Sequence, residues 1–375
     1  MSSFNVAQIL PSLDSGGVER GTIEVSNYLS ELKIKNNIIS SGGNLVNELN
    51  KNYTNHIKLS VNSKNFLIYP FISNELKKII EKNNINIVHI RSRAPAWILN
   101  LIKNRNFKTI STFHNVYSGN TYFKKIYNKQ LSKVDQVVAI SNYVKSEIVK
   151  KYNLDSSNIT VINRGVDVEY FEKEILDSSK ENFINKFKID NSKKILLYPA
   201  RLTKWKGQLE FLDTFKKMKT TDFLLYFVGD TKNKSYTQKL QNKIDKLNLN
   251  NNCKIFGNLI RDDLKILYQL SSVIFSFPLQ AEGFGRIISE ALIMKKKILA
   301  FNYGGVKDQI EFLDDIYKVD PHKYNDIELK LHNIIKLDKE KFSNISSSSK
   351  DYIKKSFSKS QMVKNYFNLY AQQSI

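Results

Sequence analysis

Phe277-Pro278-Leu279-Gln280-Ala281-Glu282-Gly283-Phe284-Gly285-Arg286-Ile287-Ile288-Ser289-Glu290 follows an apolar run, Ser272-Val273-Ile274-Phe275-Ser276, that reads as a buried strand. Beyond it, Ile287, Ile288, Ala291, Leu292 and Met294 recur at helical spacing. The stretch is therefore a strand, a glycine-bearing loop and a helix start. A helix start offers backbone N–H groups without intrahelical partners and the positive end of the helix dipole, which suits a phosphate. Gly283 and Gly285 carry no Cβ, so a ligand can approach their backbone closely. Glu282 on the loop and Glu290 on the helix can turn their carboxylates toward one ligand, and carboxylates accept hydrogen bonds from paired hydroxyls. A molecule with hydroxyls at both ends and phosphate between them, such as a nucleotide sugar, fits this order. Taken alone, the residues fit an ordinary strand-to-helix turn with two solvated glutamates equally well.

The same alternation extends on both sides. Upstream, 195–200 reads as a strand, Arg201-Leu202-Thr203-Lys204-Trp205-Lys206-Gly207 as a loop, and the residues through Phe215 as a helix. Strands at 223–228 and 253–256 follow, the first ending in Gly229-Asp230 and the second in Gly257-Asn258-Leu259. Helices are expected at 236–247 and 262–270, and a strand at 297–301 leads into Gly304-Gly305. Arg201 and Lys206 lie at a strand end and at the next helix start. They can neutralise a diphosphate, one as a planar fork and one as a point charge, or be ordinary surface cations.

The first half repeats the pattern. A short apolar run at 5–10 precedes a loop holding Gly16-Gly17, then a helical stripe of Val18, Thr22, Ile23, Val25, Ser26 and Leu29. Strands are expected at 37–41, 85–90, 109–113, 135–140 and 159–162. Helices are expected at 71–82, with Phe71, Leu76, Ile79 and Ile80 on one face, at 94–103, and at 142–151 behind a Ser141 cap. His114 is delivered at a strand C-terminal end. Strands alternating with helices predict parallel sheets covered on both faces, with ligands at the strand C-terminal ends. The fold class is therefore α/β: two Rossmann-like doubly wound parallel-sheet domains. The expected division is 1–170, a connection at 171–193, and 194–355. The last segment is helical with a serine-rich interruption near 346–349, and it closes on an amphipathic helix at about 356–375 bearing Met362, Val363, Tyr366, Phe367 and Tyr370.

Composition bounds the rest. A chain of 375 residues with 41% hydrophobic residues suffices for two cores. Cys253 is the one cysteine, so an internal disulfide framework is excluded and a reducing cytosol fits. The amino-terminal residues lack a basic region and a long apolar run, so no signal peptide is expected, and no stretch is apolar enough to span a membrane. Net charge is +22; residues 1–166 hold 22 Lys and Arg against 10 Asp and Glu, a surplus of 12. This permits nucleic acid, an anionic membrane surface or anionic small substrates. The segment 117–133 combines Lys124, Lys125, Lys129 and Lys133 with Phe123, Ile126, Tyr127 and Leu131. It suits either an anionic membrane surface or a solvated face.

Together these pieces resemble glycosyltransferase family 4, retaining enzymes of the B-type architecture in which two Rossmann-like domains face each other across a cleft. The resemblance rests on Ser15-Gly16-Gly17-Val18-Glu19-Arg20, Thr112-Phe113-His114, Ile162-Asn163-Arg164-Gly165-Val166-Asp167, the 201–207 loop, Val228-Gly229-Asp230, and Glu282 through Glu290 with seven residues between the two glutamates. A narrower likeness, in Arg91-Ser92-Arg93-Ala94-Pro95-Ala96-Trp97, Thr112-Phe113-His114-Asn115-Val116-Tyr117 and Lys204-Trp205-Lys206-Gly207-Gln208, is to bacterial members of lipopolysaccharide core assembly. Those carry glycine after the histidine, where this chain has Asn115.

The resemblance implies roles. Arg201 and Lys206 would bind the diphosphate of the sugar donor, and Gly16 and Gly17 would reach it from the other domain. Glu290 would hold the ribose hydroxyls. Glu282, with the backbone of Gly283, Phe284, Gly285 and Ile287, would hold the sugar and distal phosphate. Gly257 and Asn258 would lie near the base, and His114 beside the sugar on the acceptor side. The substrates implied are a GDP- or UDP-linked hexose-type donor and a glycan or lipid-linked acceptor in envelope biosynthesis. No metal and no other cofactor is expected, because the cations and helix starts supply the charge. The site of action implied is cytoplasmic, at the inner membrane face if the basic segment meets lipid. A sugar-nucleotide epimerase of the same double fold is the near alternative. A nucleic-acid-binding protein would explain the charge but not the diglycine and paired glutamates, and no nucleic-acid partner is expected.

Overall fold

The computed structural model describes residues 4–14, 16–119, 121–190, 192–218 and 222–374. Met1, Ser2 and Ser3 of the amino-terminal stretch lie outside the described residues. So do Ser15 of the diglycine motif, Asn120 of the basic segment and Asn191 of the connection. The chain divides into two units, Met1–Gly165 with Lys359–Ile375, and Val166–Ser358.

The first unit is built on seven parallel strands: β1 (Val6–Ile9), β2 (Asn36–Ser40), β3 (Thr54–Lys58), β4 (Ile87–Ile90), β5 (Lys108–Phe113), β6 (Gln136–Ala139) and β7 (Ile159–Val161). Their spatial order is β3-β2-β1-β4-β5-β6-β7. The inner strands β1 and β4 are buried at every residue, as expected when helices cover both faces. The second unit has six parallel strands: β8 (Lys194–Pro199), β9 (Phe223–Val228), β10 (Cys253–Gly257), β11 (Ser271–Ser276), β12 (Lys297–Phe301) and β13 (Lys318–Val319). Their order is β10-β9-β8-β11-β12-β13. Both sheets are of the doubly wound kind, and each reverses its strand order once, between β1 and β4 and between β8 and β11. That reversal opens a crevice at the strand C-terminal ends.

Four local expectations are corrected. The segment 171–193 is no free connection: it carries the end of the helix Val168–Glu172 and all of Asp177–Phe187, within the second unit. Phe183 is buried there, Phe187 meets Phe256 at 5.5 Å, and Lys265 Nζ donates to the Tyr170 carbonyl at 2.6 Å. The serines near 346–349 do not interrupt a helix. They lie inside Lys339–Phe357, where the Ser348 and Ser349 hydroxyls donate back to the Asn344 and Ile345 carbonyls. The break falls at Ser358, in extended backbone. Phe71 is not on the buried face of its helix, Tyr69–Lys82; that face is Tyr69, Ile72, Leu76 and Ile80, and Phe71 is 74% exposed. Strand β3, Thr-Asn-His-Ile-Lys, carries no apolar run and pairs only with β2, at the sheet edge.

The last helix, Lys359–Gln373, belongs to the first unit. Met362, Val363, Tyr366, Leu369 and Tyr370 complete a core with Phe4, Val6, Val25, Ile87 and Ile110. His89 on β4 anchors it: its ring nitrogens lie 2.6 Å from the Tyr370 hydroxyl and 2.8 Å from Thr112 Oγ1. Among the described residues no helix is long and apolar enough to cross a membrane.

Candidate functional site

In the second unit, the loops after β8 and β11 flank the strand-order reversal and are tied together. Tyr198, at 1% exposure in β8, donates its hydroxyl to the Lys206 carbonyl at 2.6 Å and accepts the Phe277 N–H at 3.3 Å. Burial pushes that hydroxyl's pKa well up, so it acts as a neutral donor. The Leu279 N–H donates to the Trp205 carbonyl at 2.8 Å. Gly207 has φ +80°, and a Cβ there would meet the Phe277 carbonyl oxygen at 2.3 Å, so the two loops approach at backbone distance.

This frame brings Lys206 and Glu282 into contact, Nζ to Oε1 at 2.5 Å, with only 9% and 14% of their side chains exposed. The ammonium also lies 4.4 Å from the Trp205 ring centroid. Arg201 is exposed, its guanidinium 6.0 Å from the same ring. Two cations and one carboxylate thus converge around Trp205 at the strand ends.

The 282–287 loop sits on Gly304-Gly305. The Gly305 N–H donates to the Glu282 carbonyl at 2.8 Å, and a Cβ on Gly305 would meet the Gly283 carbonyl oxygen at 2.2 Å. Fully buried Gln309 closes the loop from below. Its amide donates to the Phe284 and Gly305 carbonyls at 2.5 and 3.2 Å, and its oxygen accepts from Ser289 at 2.5 Å. Gly285, at φ +85°, starts the helix Arg286–Ile293. The Phe284 ring points into the interior, 5.8 Å from Phe357, so only its backbone faces the loop's ligand side. Ile287 is half-buried in the first turn. Glu290 is 7% exposed and held on both oxygens: Tyr268 donates to Oε2 at 3.0 Å, and Arg286 Nε and Nη2 donate to Oε1 at 3.3 and 3.2 Å. Gly257, at φ +70°, ends β10 and exposed Asn258 follows it, and the Gly257 carbonyl accepts the Gly229 N–H at 2.8 Å.

In the first unit, Gly16 caps the helix Gly17–Glu31 with φ +146°, and both glycines are exposed. A Cβ on Gly17 would meet nothing within 4 Å, whereas one on Gly16 would meet the Glu19 carboxylate at 2.4 Å. Burial raises the Glu19 pKa against the pull of Arg164 and Arg91. His114 follows β5; its Nε2 is buried without a hydrogen-bond partner. Burial, then the Arg91 and Arg164 charges, hold its pKa well below the usual histidine value, so the ring is neutral at pH 7. Asn115, where the resemblance leads to glycine, accepts the Val116 N–H on its own side-chain oxygen at 2.8 Å.

Tyr198, Gln309, Arg91 and Arg164 were not singled out individually by the sequence. A polar side chain in an apolar strand signalled Tyr198, and a glutamine soon after Gly304-Gly305 signalled Gln309. Arg164 lies over Gly21, where a Cβ would meet its Nη1 at 1.5 Å, so that glycine exists for the guanidinium. No group of three or more His, Cys, Asp or Glu side chains with metal-ligand geometry occurs among the described residues.

Comparison with known proteins bears on this arrangement. The description Glycosyltransferase Family 4 matches residues 15–170, and Glycosyl transferases group 1 matches residues 179–352. The crystal structure of a glycosyltransferase from Rickettsia africae is 35% identical, with a TM-score of 0.88 over 99% of this chain and 98% of that one. Anabaena HepE in complex with UDP and glucose shares the fold at 15% identity, TM-score 0.83, over 98% of this chain and 100% of that one. So does WaaG, a glycosyltransferase involved in lipopolysaccharide biosynthesis, at 13% identity, TM-score 0.72, over 96% and 98%. Trehalose synthase of Pyrococcus horikoshii is 23% identical over 260 residues, 65% of this chain and 59% of that protein. The chain spans about 60% of the length of the curated trehalose synthases it matches.

Proposed function

Because the chain belongs to the glycosyltransferases whose first half is of family 4 and whose second half is of group 1, we propose that it transfers a hexose-type sugar from a nucleoside diphosphate to a glycan or lipid-linked acceptor, with retention at the anomeric carbon. The observation that carries this is the Lys206–Glu282 contact beside Arg201, at the reversal point of the second sheet. A sugar diphosphate leaves readily once its charge is neutralised. Preorganised cations at that position stabilise the leaving phosphate electrostatically.

In this mechanism Arg201 and Lys206 bind the diphosphate, and the Gly283–Ile287 backbone at the helix start receives the distal phosphate and sugar. Glu282 orients the Lys206 ammonium and accepts from sugar hydroxyls on its remaining lone pairs. Glu290 keeps lone pairs for the ribose hydroxyls, its orientation fixed by Tyr268 and Arg286. The acceptor hydroxyl attacks the anomeric carbon on the face the diphosphate leaves. The bond from that carbon to the phosphate oxygen breaks, and the hydroxyl proton passes to the departing phosphate. Neutral His114 hydrogen-bonds the substrate without adding charge. Arg201 and Lys206 make the chemistry independent of a metal. An acceptor from lipopolysaccharide-type envelope glycans is supported by the fold shared with WaaG and by the basic first half, which suits an anionic acceptor.

Thermal shift and sugar-nucleotide hydrolysis with UDP-glucose, UDP-galactose, UDP-N-acetylglucosamine and GDP-mannose, with and without EDTA, test this beside a Glu290→Ala control. One nucleotide sugar should stabilise the protein, resist EDTA and lose its effect in the variant. Failure of saturating UDP and GDP to stabilise the wild type would sink the reading.

A further inference from the structure

Trp205 stands between two charged neighbours, Lys204 and Lys206, and is one of two tryptophans in the chain. Its backbone is fixed. Lys204–Lys206 forms a single 3-10 turn that ends on Gly207 in the left-handed region. The Lys206 N–H donates to the Thr203 carbonyl at 2.9 Å, and the Trp205 carbonyl accepts the Leu279 N–H at 2.8 Å. The side chain is only half-buried. Among the described residues its ring makes no aromatic pair, whereas Tyr198, Phe211, Phe275 and Phe277 of the same unit pack ring on ring. What lies against the indole is charge. Lys206 Nζ is 4.4 Å from the ring centroid and the Arg201 guanidinium carbon 6.0 Å. Both are within the roughly 6 Å over which an aromatic face attracts a cation.

The two cations are not held alike. Lys206 is pinned by Glu282 at 2.5 Å. Arg201 is exposed, and among the described residues its side chain has no hydrogen bond and no ion pair. Like charges repel, and the one carboxylate at hand is taken by Lys206, so a long side chain such as Arg201 would turn out to water. The Trp205 face draws it back. A π-face attracts a guanidinium without accepting its N–H groups in the way a carboxylate does, so the five donors of Arg201 stay available to a ligand.

We propose that Trp205 is a positioning residue that keeps Arg201 beside Lys206, so that the pair meets two phosphates at once and the site selects a nucleoside diphosphate over the monophosphate. This rests on the assignment of Arg201 and Lys206 to the donor diphosphate. Lys206 keeps its place through Glu282 without the ring. The effect of Trp205 therefore passes through Arg201 and is greatest where both phosphates are present.

The test is calorimetry of the full-length protein with UDP, GDP, UMP and GMP. For the base that the wild type binds, Trp205→Leu should weaken the diphosphate about tenfold and the monophosphate by less than about twofold, and Trp205→Phe should regain most of the loss. In an Arg201→Ala background, adding Trp205→Leu should cost the diphosphate nothing more, because the two side chains act as one unit. A second readout leaves the site unaltered. With Trp97→Phe, Trp205 is the remaining tryptophan, and its fluorescence should shift with the diphosphate and hold with the monophosphate. Unchanged diphosphate affinity in Trp205→Leu overturns the proposal. So does an equal loss for both nucleotides, which would make the ring ordinary packing, or a loss that adds in full to that of Arg201→Ala. If neither UDP nor GDP binds the wild type, the nucleotide reading itself falls and this proposal with it.

Discussion

The strand-end crevices of the two units are built on the same sheet topology and finished in opposite ways. In the second unit the buried charged groups are paired and pinned: Lys206 to Glu282, Glu290 to Tyr268 and Arg286, and the loops to Tyr198 and Gln309, while Arg201 stays exposed beside Trp205. In the first unit they carry spare capacity. The His114 Nε2, the Gln8 Oε1 and all three Arg91 nitrogens are buried without hydrogen-bond partners. A crevice that is preorganised suits a ligand recognised by fixed charges, since nothing must reorganise when it binds. A crevice with unused donors and acceptors suits hydroxyl-rich ligands, which arrive with hydrogen bonds of their own.

The largest effect that separates the two should come from Lys206→Ala. It removes the buried cation and strands Glu282, and turnover with the preferred sugar nucleotide should fall about 10²–10³-fold. Lys206→Arg should recover part of the rate, because charge is kept while the point-charge geometry is lost. Steady-state kinetics decides; a wild-type rate in Lys206→Ala would show that the pinned crevice is not where charge develops.

Next is Glu290→Gln. The amide keeps the shape but gives up the charge and one acceptor, at a cost of about 1–3 kcal/mol. Nucleotide affinity measured by calorimetry should drop about 10–100-fold, with less change in the acceptor KM. An acceptor KM that rises while nucleotide binding holds would exchange the roles of the two crevices.

The contrast also shows what was legible in the sequence. Both sheets could be read because their inner strands are continuous apolar runs between glycine-marked loops, as in β8 and β11. Glu282, Gly285 and Lys206 could be read because each stands at a fixed step from such a strand. The Tyr198 hydroxyl and the Gln309 amide could be noticed as polar groups in apolar surroundings, but their partners could not. Their importance lies in joining loops some 80 and 25 residues away, at Phe277 and Phe284, and nothing local marks that. Residues 171–193 looked like a connection because their polar composition hides how few apolar residues a short helix needs to dock: Phe183 and Phe187 suffice. Phe71 misled in the other direction, since helical spacing finds a face without saying what covers it.

Acid should find the first unit before the second. His56, His89 and His114 all lie in the first unit, and burial is the leading cause of a lowered pKa at each. A folded-state pKa below the unfolded value of about 6.5 means that the unfolded chain binds protons more readily. Stability is therefore full above about pH 6.5 and falls as pH drops below it. Hydrogen exchange of β4 and β5 amides should speed up as pH drops from 6.5 to 5, after correction for the intrinsic rate, ahead of amides in β8 and β11. Simultaneous loss of protection in both sheets would mean that the two units do not titrate separately.

The smallest effect expected is the most telling. Arg91 is 1% exposed, its three nitrogens have no protein hydrogen-bond partner, and its guanidinium lies 5.1 Å from the Tyr366 ring. If spare capacity in the first unit serves ligands and not the fold, Arg91→Met should be nearly neutral in stability. The methionine keeps an aliphatic stem of similar length, loses the weak ring contact, and removes a buried charge whose desolvation opposed folding. Denaturant unfolding should shift by no more than about 1 kcal/mol in either direction, while Lys206→Ala, which breaks a mostly buried pair, should cost about 3 kcal/mol or more. A loss in Arg91→Met as large as that in Lys206→Ala would show that the guanidinium is knitted into the first unit through ordered water. The two crevices would then be equally pinned, one by side chains and the other by solvent.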